Sequence, residues 1–298
     1  MRILLLVEQL ERGGAGRVAA IQCNGLYRRG YDVVLVTDHN NFSINYSIDA
    51  GIPRMAIVTK SLHAGYLEKL RKMYRCIKDV RKYIKKEKPN LIIAVQPTMF
   101  LYAYLGNVGL HVPLIVADHT SFDRRLGLLK NYVRFHLYKK ADAISILTQR
   151  DARILGDKFS QKRVIYNPLP FPVLNHPTDR RHNILCAGRL EVWDIKGFDI
   201  IIKIWSEIYN SYPNWVLEIA GDSDNVAATE TIRKMIIDNH VENRVRLLGN
   251  VENMKSLYCE SGIFALSSRI EGFPLVLMEA MSQGCSCIAF DINGASRI

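Results

Sequence analysis

A chain of 298 residues exceeds what one hydrophobic core usually supports, so two domains are expected. Its 48% hydrophobic and 23% charged residues exclude a disordered or fibrous chain, and a net charge of +11 favours anionic partners. A membrane-spanning helix needs about 18–20 apolar residues, and the nearest run, Met99 to Val116, is interrupted by Gly106, Asn107, His111 and Pro113.

Arg2–Val7 is apolar without a small-residue cleavage site, so it is read as a first strand and not a leader. The glycine loop Glu11–Arg17 follows, and a helix is expected over Arg17–Arg29. Further strands are expected over Asp32–Thr37, Pro53–Val58, Asn90–Val95, Leu114–Ala117, Ala143–Leu147 and Arg163–Tyr166. Helices are expected over Tyr66–Lys88, Met99–Gly109, Arg124–Lys139 and Arg150–Gly156. Continuous Ile, Leu and Val runs alternating with helices imply a parallel sheet covered on both faces.

Asn167–Pro177 holds four prolines and breaks this rhythm, as a linker does. The alternation restarts with strands near Asn183–Ala187, Trp215–Ala220, Arg244–Leu248, Gly262–Leu266 and Ser286–Phe290. The accompanying helices are Phe198–Ser211, Ala227–His240, Met254–Glu260 and Pro274–Gln283. The fold class is therefore α/β, with two Rossmann-like, doubly wound domains at 1–167 and 183–298 and a proline-rich linker at 168–182. Ligand is expected at the strand C-termini, in a cleft between the domains. Asn293–Ile298 reads as a loop entering a helix, so the second domain is expected to be incomplete.

Two segments concentrate the positive charge. In Leu67–Lys88 ten Lys and Arg residues flank Leu67, Leu70, Tyr74, Ile77, Tyr83 and Ile84, which approximate one helical stripe. Arg124–Lys140 interleaves cations with Leu128, Leu129, Tyr132, Phe135 and Tyr138. Such helices suit an anionic bilayer at about 1 kcal/mol per nearby cation. No nucleic-acid motif is present, so peripheral membrane contact is the expectation. The six cysteines show no Cys-x-x-Cys spacing, which favours reduced thiols and a cytoplasmic setting.

Chemistry-bearing residues fall on the strand-to-helix loops. Gly14-Ala-Gly16-Arg-Val-Ala19 with Asp38 formally matches a dinucleotide motif, but six residues separate Val7 from Gly14 where that turn follows its strand at once. Backbone N–H groups of Gly13 and Gly14 approaching a substrate or diphosphate are the preferred reading. Gly188-Arg189 ends a strand and Lys196-Gly197 opens a helix, offering a planar fork and a compact charge to a diphosphate. Ser268-Arg-Ile-Glu271-Gly272-Phe273-Pro274-Leu275 leads into a helix bearing Glu279, with Pro274 in its first turn. Glu271 and Glu279, with seven residues between them around a helix N-terminus, suit a ligand both anionic and rich in hydroxyls. His119, between Asp118 and Asp123 after a strand, is placed for a reacting sugar; the spacing matches no standard metal site. Asn167-Pro168 is read as ordering a turn.

Together these elements resemble the retaining GT-B glycosyltransferases of family 4, from Arg2 to about Ile298, and the Glu271–Glu279 pair is their most specific feature. The resemblance implies that Arg189 and Lys196 hold the donor diphosphate, Glu271 the donor sugar and Glu279 the ribose. It further implies that Ser268–Pro274 lines the donor pocket and that His119 approaches the transferred sugar. Such enzymes usually run some tens of residues further. The implied activity is retaining transfer of a hexose or N-acetylhexosamine, from a nucleotide sugar that is UDP-linked, to a glycan or lipid-linked acceptor. Bacterial lipopolysaccharide, capsule or exopolysaccharide synthesis at the inner face of the plasma membrane is the expected setting. No metal or other cofactor is expected. The alternatives are a UDP-sugar epimerase of the same fold and an inactive nucleotide-sugar-binding relic.

Overall fold

The computed structural model describes residues 1–10, 13–37, 46–57, 65–176, 179–223 and 225–295. The dinucleotide-motif Asp38 and the terminal residues 296–298 lie outside them. The chain divides into two compact units, Met1–Pro168 and Leu169–Ile298.

The first unit runs β1 (Arg2–Val7), α1 (Gly14–Arg28), β2 (Asp32–Thr37), β3 (Arg54–Ala56), α2 (Tyr66–Glu87), β4 (Leu91–Val95), α3 (Gln96–Gly106), β5 (Leu114–Ala117), α4 (Leu128–Tyr132), β6 (Ala143–Ile146), α5 (Gln149–Leu155) and β7 (Lys162–Val164). Its seven strands are parallel in the order β3-β2-β1-β4-β5-β6-β7. Alternating side chains feed two cores: Leu4, Leu6, Val34 and Val36 on one face, Leu5, Val7, Val33 and Leu35 on the other.

The second unit runs β8 (Arg181–Ala187), α6 (Trp193–Lys196), α7 (Phe198–Ile208), β9 (Val216–Ala220), α8 (Val226–Asp238), β10 (Val245–Gly249), α9 (Met254–Glu260), β11 (Ser261–Leu266), α10 (Leu275–Ser282) and β12 (Ser286–Ala289). These strands are also parallel, in the order β10-β9-β8-β11-β12. Strand order reverses between β1 and β4 in the first sheet and between β8 and β11 in the second. In open parallel sheets such a reversal opens a crevice at the strand C-termini, where ligands bind.

Three local expectations are corrected. Helix α1 begins at Gly14, three residues early, because Gly13 (φ 141°) turns the chain sharply enough for Gly14-Ala-Gly16 to form the first turn. Pro274 sits one residue outside α10 as its cap, and its carbonyl accepts from the Leu277 and Met278 N–H groups at 3.1 and 3.3 Å. Arg124–Lys139 is not one helix: α4 passes into a π-helical segment, Val133–Leu137, and a 3₁₀ turn, Tyr138–Lys140.

The supposed single stripe of α2 is two. Cys76, Val80 and Ile84 are buried with Ile77 and Tyr83 beside them, whereas Leu67, Leu70 and Tyr74 are exposed. Residues 67, 70 and 74 share a face by their i, i+3, i+7 spacing, turned away from the buried set. Among the described residues no helix is long and apolar enough to cross a membrane.

Candidate active site

In the second unit two loops meet at the sheet's reversal point, one after β8 and one after β11. The Gly188 N–H continues the ladder to the Ala220 carbonyl at 3.0 Å, after which the chain turns through α6. Gly197, left-handed at φ 67°, then starts α7. A Cβ there would lie 2.0 Å from the Ser267 carbonyl oxygen, so only glycine lets the loops touch. Hydrogen bonds stitch them: Ser267 Oγ donates to the Lys196 carbonyl at 2.9 Å, the Arg269 N–H to the Ile195 carbonyl at 2.8 Å, and the Arg269 guanidinium donates to the Asp194 carbonyl and grips Asp199 at 2.8 and 2.7 Å. That fork holds the Asp199 carboxyl below its ordinary range.

The stitching brings Lys196 and Glu271 together across 75 residues of sequence. Lys196 Nζ donates to Glu271 Oε1 at 2.7 Å, and Ser268 Oγ donates to the same oxygen at 2.7 Å. The Lys196 stem lies over Gly188, where an added Cβ would come within 3.1–3.2 Å of it. Phe273, Pro274 and Leu275 are buried and Gly272 is half-buried, so the loop is braced from beneath. The N–H groups of Leu275 and Val276 find no partner among the described residues. They point out of the positive end of α10, an arrangement that attracts anions. Arg189 is exposed and makes no hydrogen bond or ion pair among the described residues, so it is not assembled into this cluster.

Glu279 lies one turn inside α10, 2% exposed, and its Oε2 accepts from the enclosed Tyr258 hydroxyl at 3.0 Å. Sequence reasoning missed Tyr258, which nothing but its place in α9, 21 residues earlier, brings to the carboxylate.

In the first unit, the Gly13 N–H is engaged within the protein. The Tyr46 hydroxyl accepts from it and donates back to its carbonyl, each at 3.1 Å. Gly14 is exposed at the start of α1. His119 follows β5, neighbour of β4 in the sheet. Its Nδ1 lies 3.2 Å from Asn167 Oδ1, an oxygen that only accepts, and this contact favours the Nδ1–H tautomer. Nε2 is then the lone-pair nitrogen; it is buried and meets no partner among the described residues. Burial lowers the pKa of His119 against the opposing pull of Asp118 and Asn167, so the ring is neutral at pH 7. Asn167, read as a turn residue, is thus the partner that orients the histidine.

The acidic neighbours of His119 are engaged elsewhere. Asp118 pairs with Arg134 at 2.7 Å and Asp123 with Arg150 at 2.8 Å. Among the described residues no group of three or more His, Cys, Asp or Glu side chains could hold a metal ion. All six cysteines are free, and burial pushes the Cys23, Cys186 and Cys287 thiols up to about 12, which leaves them unreactive.

The two parallel α/β units, the second with the Lys196–Glu271 pair on loops at its reversal point, match known glycosyltransferases. Residues 12–170 match the model of Glycosyltransferase Family 4, and residues 181–298 that of Glycosyl transferases group 1. The chain is 28% identical to the amylovoran biosynthesis glycosyltransferase AmsD of Erwinia amylovora, over 97% of this chain and 81% of that protein. It is 24% identical to a Campylobacter jejuni α-1,4-N-acetyl-D-galactosaminyltransferase acting on a diNAcBac-PP-undecaprenol-linked disaccharide, over 99% of this chain and 81% of that one. The crystal structure of Anabaena HepE with UDP and glucose superposes with a TM-score of 0.76 at 19% identity, covering 100% of this chain and 82% of the other. The chain belongs to glycosyltransferase family 4, and its fold is GT-B.

Proposed function

We propose that this glycosyltransferase moves a hexose or N-acetylhexosamine from a UDP-sugar to a glycan or lipid-linked acceptor, with retention at the anomeric carbon, in bacterial surface-polysaccharide synthesis. The Lys196–Glu271–Ser268 cluster beside the open α10 N-terminus carries this reading. The Lys196 ammonium and the unengaged Arg189 guanidinium balance the donor diphosphate, aided by the Leu275 and Val276 N–H groups. When Lys196 turns to phosphate, Glu271 is released to accept from sugar hydroxyls, while Glu279 takes the ribose. As the bond from C1 to the diphosphate breaks, negative charge grows on the leaving group, so these donors act most strongly in the transition state.

Retention follows if the acceptor hydroxyl attacks C1 on the face that the diphosphate leaves, with a diphosphate oxygen taking its proton. In this reading Glu271, once freed from Lys196, accepts from the sugar's hydroxyls and keeps its bond from Ser268, so a covalent carboxylate intermediate is not invoked. The neutral His119 offers Nε2 to a hydroxyl of the transferred sugar. All these groups are side chains or backbone, and the reading calls for no cofactor. UDP bound by HepE and the undecaprenol-linked substrate named for the Campylobacter relative support the donor and acceptor classes.

The outward Leu67, Leu70 and Tyr74 of α2, with Arg71, Arg75 and Lys78 beside them, support peripheral contact with an anionic bilayer. Co-sedimentation with phosphatidylglycerol vesicles should fall with salt and in Leu67→Ser/Tyr74→Ser; indifference to both would remove the membrane. The enzymatic reading is tested with a panel of UDP-glucose, UDP-galactose, their N-acetylated forms and GDP-mannose, following nucleotide release and sugar products. UDP release is expected. Conversion of donor to an epimer without release would contradict transfer.

A further inference from the structure

Arg134 is a fully enclosed cation that the transfer chemistry above does not use. It makes four hydrogen bonds, and every acceptor lies within Asp118–Ser121. Nε donates to Asp118 Oδ2 at 2.7 Å and Nη2 to Asp118 Oδ1 at 2.9 Å; Nη2 also donates to the Thr120 carbonyl at 2.6 Å and Nη1 to the Ser121 carbonyl at 3.2 Å. Tyr138 adds its hydroxyl to Asp118 Oδ2 at 2.9 Å, and the Thr120 N–H donates to Oδ1 at 3.1 Å. The Phe122 ring covers the guanidinium, 4.2 Å from Cζ to its centroid. A second buried carboxylate, Asp151, takes the Phe122 N–H at 2.9 Å. The backbone on both sides of His119 is therefore clamped, while the His119 ring itself is held by Asn167.

Stability does not explain such an arrangement. An enclosed ion pair loses hydration comparable to its Coulomb gain, and apolar replacements of similar volume are often neutral or stabilising. What the pair supplies is geometry, because a planar fork gripping a carboxylate fixes direction as well as distance. Arg134 also lies in the π-helical segment Val133–Leu137, a rare form that recurs at functional sites.

We infer that Arg134 is a positioning residue: through the Asp118 carboxylate and the Thr120 and Ser121 carbonyls it sets the backbone around His119 so that Asn167 selects one ring tautomer with Nε2 as acceptor. The functional meaning of this clamp rests on the sugar-contact role proposed for His119; the clamp itself does not. Long-range ¹H–¹⁵N spectra of the chain labelled with ¹⁵N-histidine report each ring's tautomer, and the His119 signal is the one lost in His119→Gln. The parent is expected to show the pure Nδ1–H form. Arg134→Lys keeps the charge but loses the fork, and should move His119 towards a tautomer average. It should also lower the turnover of UDP-glucose to UDP at least tenfold, with KM changed less than threefold. Tyr138→Phe, which deletes only the hydroxyl, should shift the same signal to a smaller degree and serves if Arg134→Lys does not fold. A merely structural role would lower Tm and leave the tautomer pure. An unchanged His119 spectrum in either folded variant overturns the inference. A shifted spectrum in Arg134→Lys alongside full turnover in His119→Gln would uphold the clamp and remove the role of His119 instead.

Discussion

Lys196→Met is the most informative single change. It deletes the ammonium while keeping most of the stem that packs over Gly188. The ammonium has three donors, so it can serve Glu271 and a phosphate in turn. A charge-assisted hydrogen bond contributes about 1.5–3 kcal/mol, so UDP affinity should fall roughly 10- to 150-fold. If Lys196 also supports the departing diphosphate, turnover should fall by about 10²–10³. The cost to stability should be limited by the bond that Glu271 keeps from Ser268, and urea unfolding separates it from the loss in binding. The stranded Glu271 anion would then face the diphosphate and repel it. Glu271→Gln in the Lys196→Met background should accordingly restore part of the UDP affinity, a coupling of about 1–3 kcal/mol. Calorimetric titration with UDP and a continuous assay of UDP release supply the numbers. Turnover within threefold of the parent, or strictly additive losses, would refute a shared position for the two side chains.

Three further outcomes follow from the geometry. Glu279→Ala should weaken UDP binding by about 1–3 kcal/mol, and Tyr258→Phe by less, since the tyrosine acts only through the carboxylate; equal UDP titrations for all three chains would contradict this. Gly197→Ala places a methyl on the Ser267 carbonyl at φ 67° and should cost more than about 1 kcal/mol in urea unfolding, whereas Gly65→Ala, with open space at its Cβ, should not. Burial lowers the His119 pKa from 6.5, so the unfolded chain binds the extra proton first as pH falls. Its contribution to stability is therefore complete above about pH 6.5 and lost below it, and His119→Gln should flatten the decline in Tm between pH 7.5 and 5.5.

The sheets were legible because buried parallel strands are written as unbroken Ile, Leu and Val runs, and β1, β2 and β5 fall where those runs fall. The loops bearing Gly188, Lys196 and Glu271 were legible for the same reason, since each follows such a strand. Pairings across distance were not. Periodicity placed Leu67, Leu70 and Tyr74 on the same stripe as Ile84, although helix α2 buries one set and exposes the other. Arg134 looked like one more cation in a basic stretch, and only Asp118, 16 residues away, reveals it as interior. Asn167 beside a proline suggests a turn, and its bond to His119 spans 48 residues that no local pattern encodes.

The most direct test of the central claim is a crystal structure of this chain with UDP. The diphosphate is expected within hydrogen-bonding distance of Lys196 Nζ and the Leu275 and Val276 N–H groups, with Glu271 freed from the ammonium. Density for UDP elsewhere, with the Lys196–Glu271 pair still closed at its present 2.7 Å, would contradict the account.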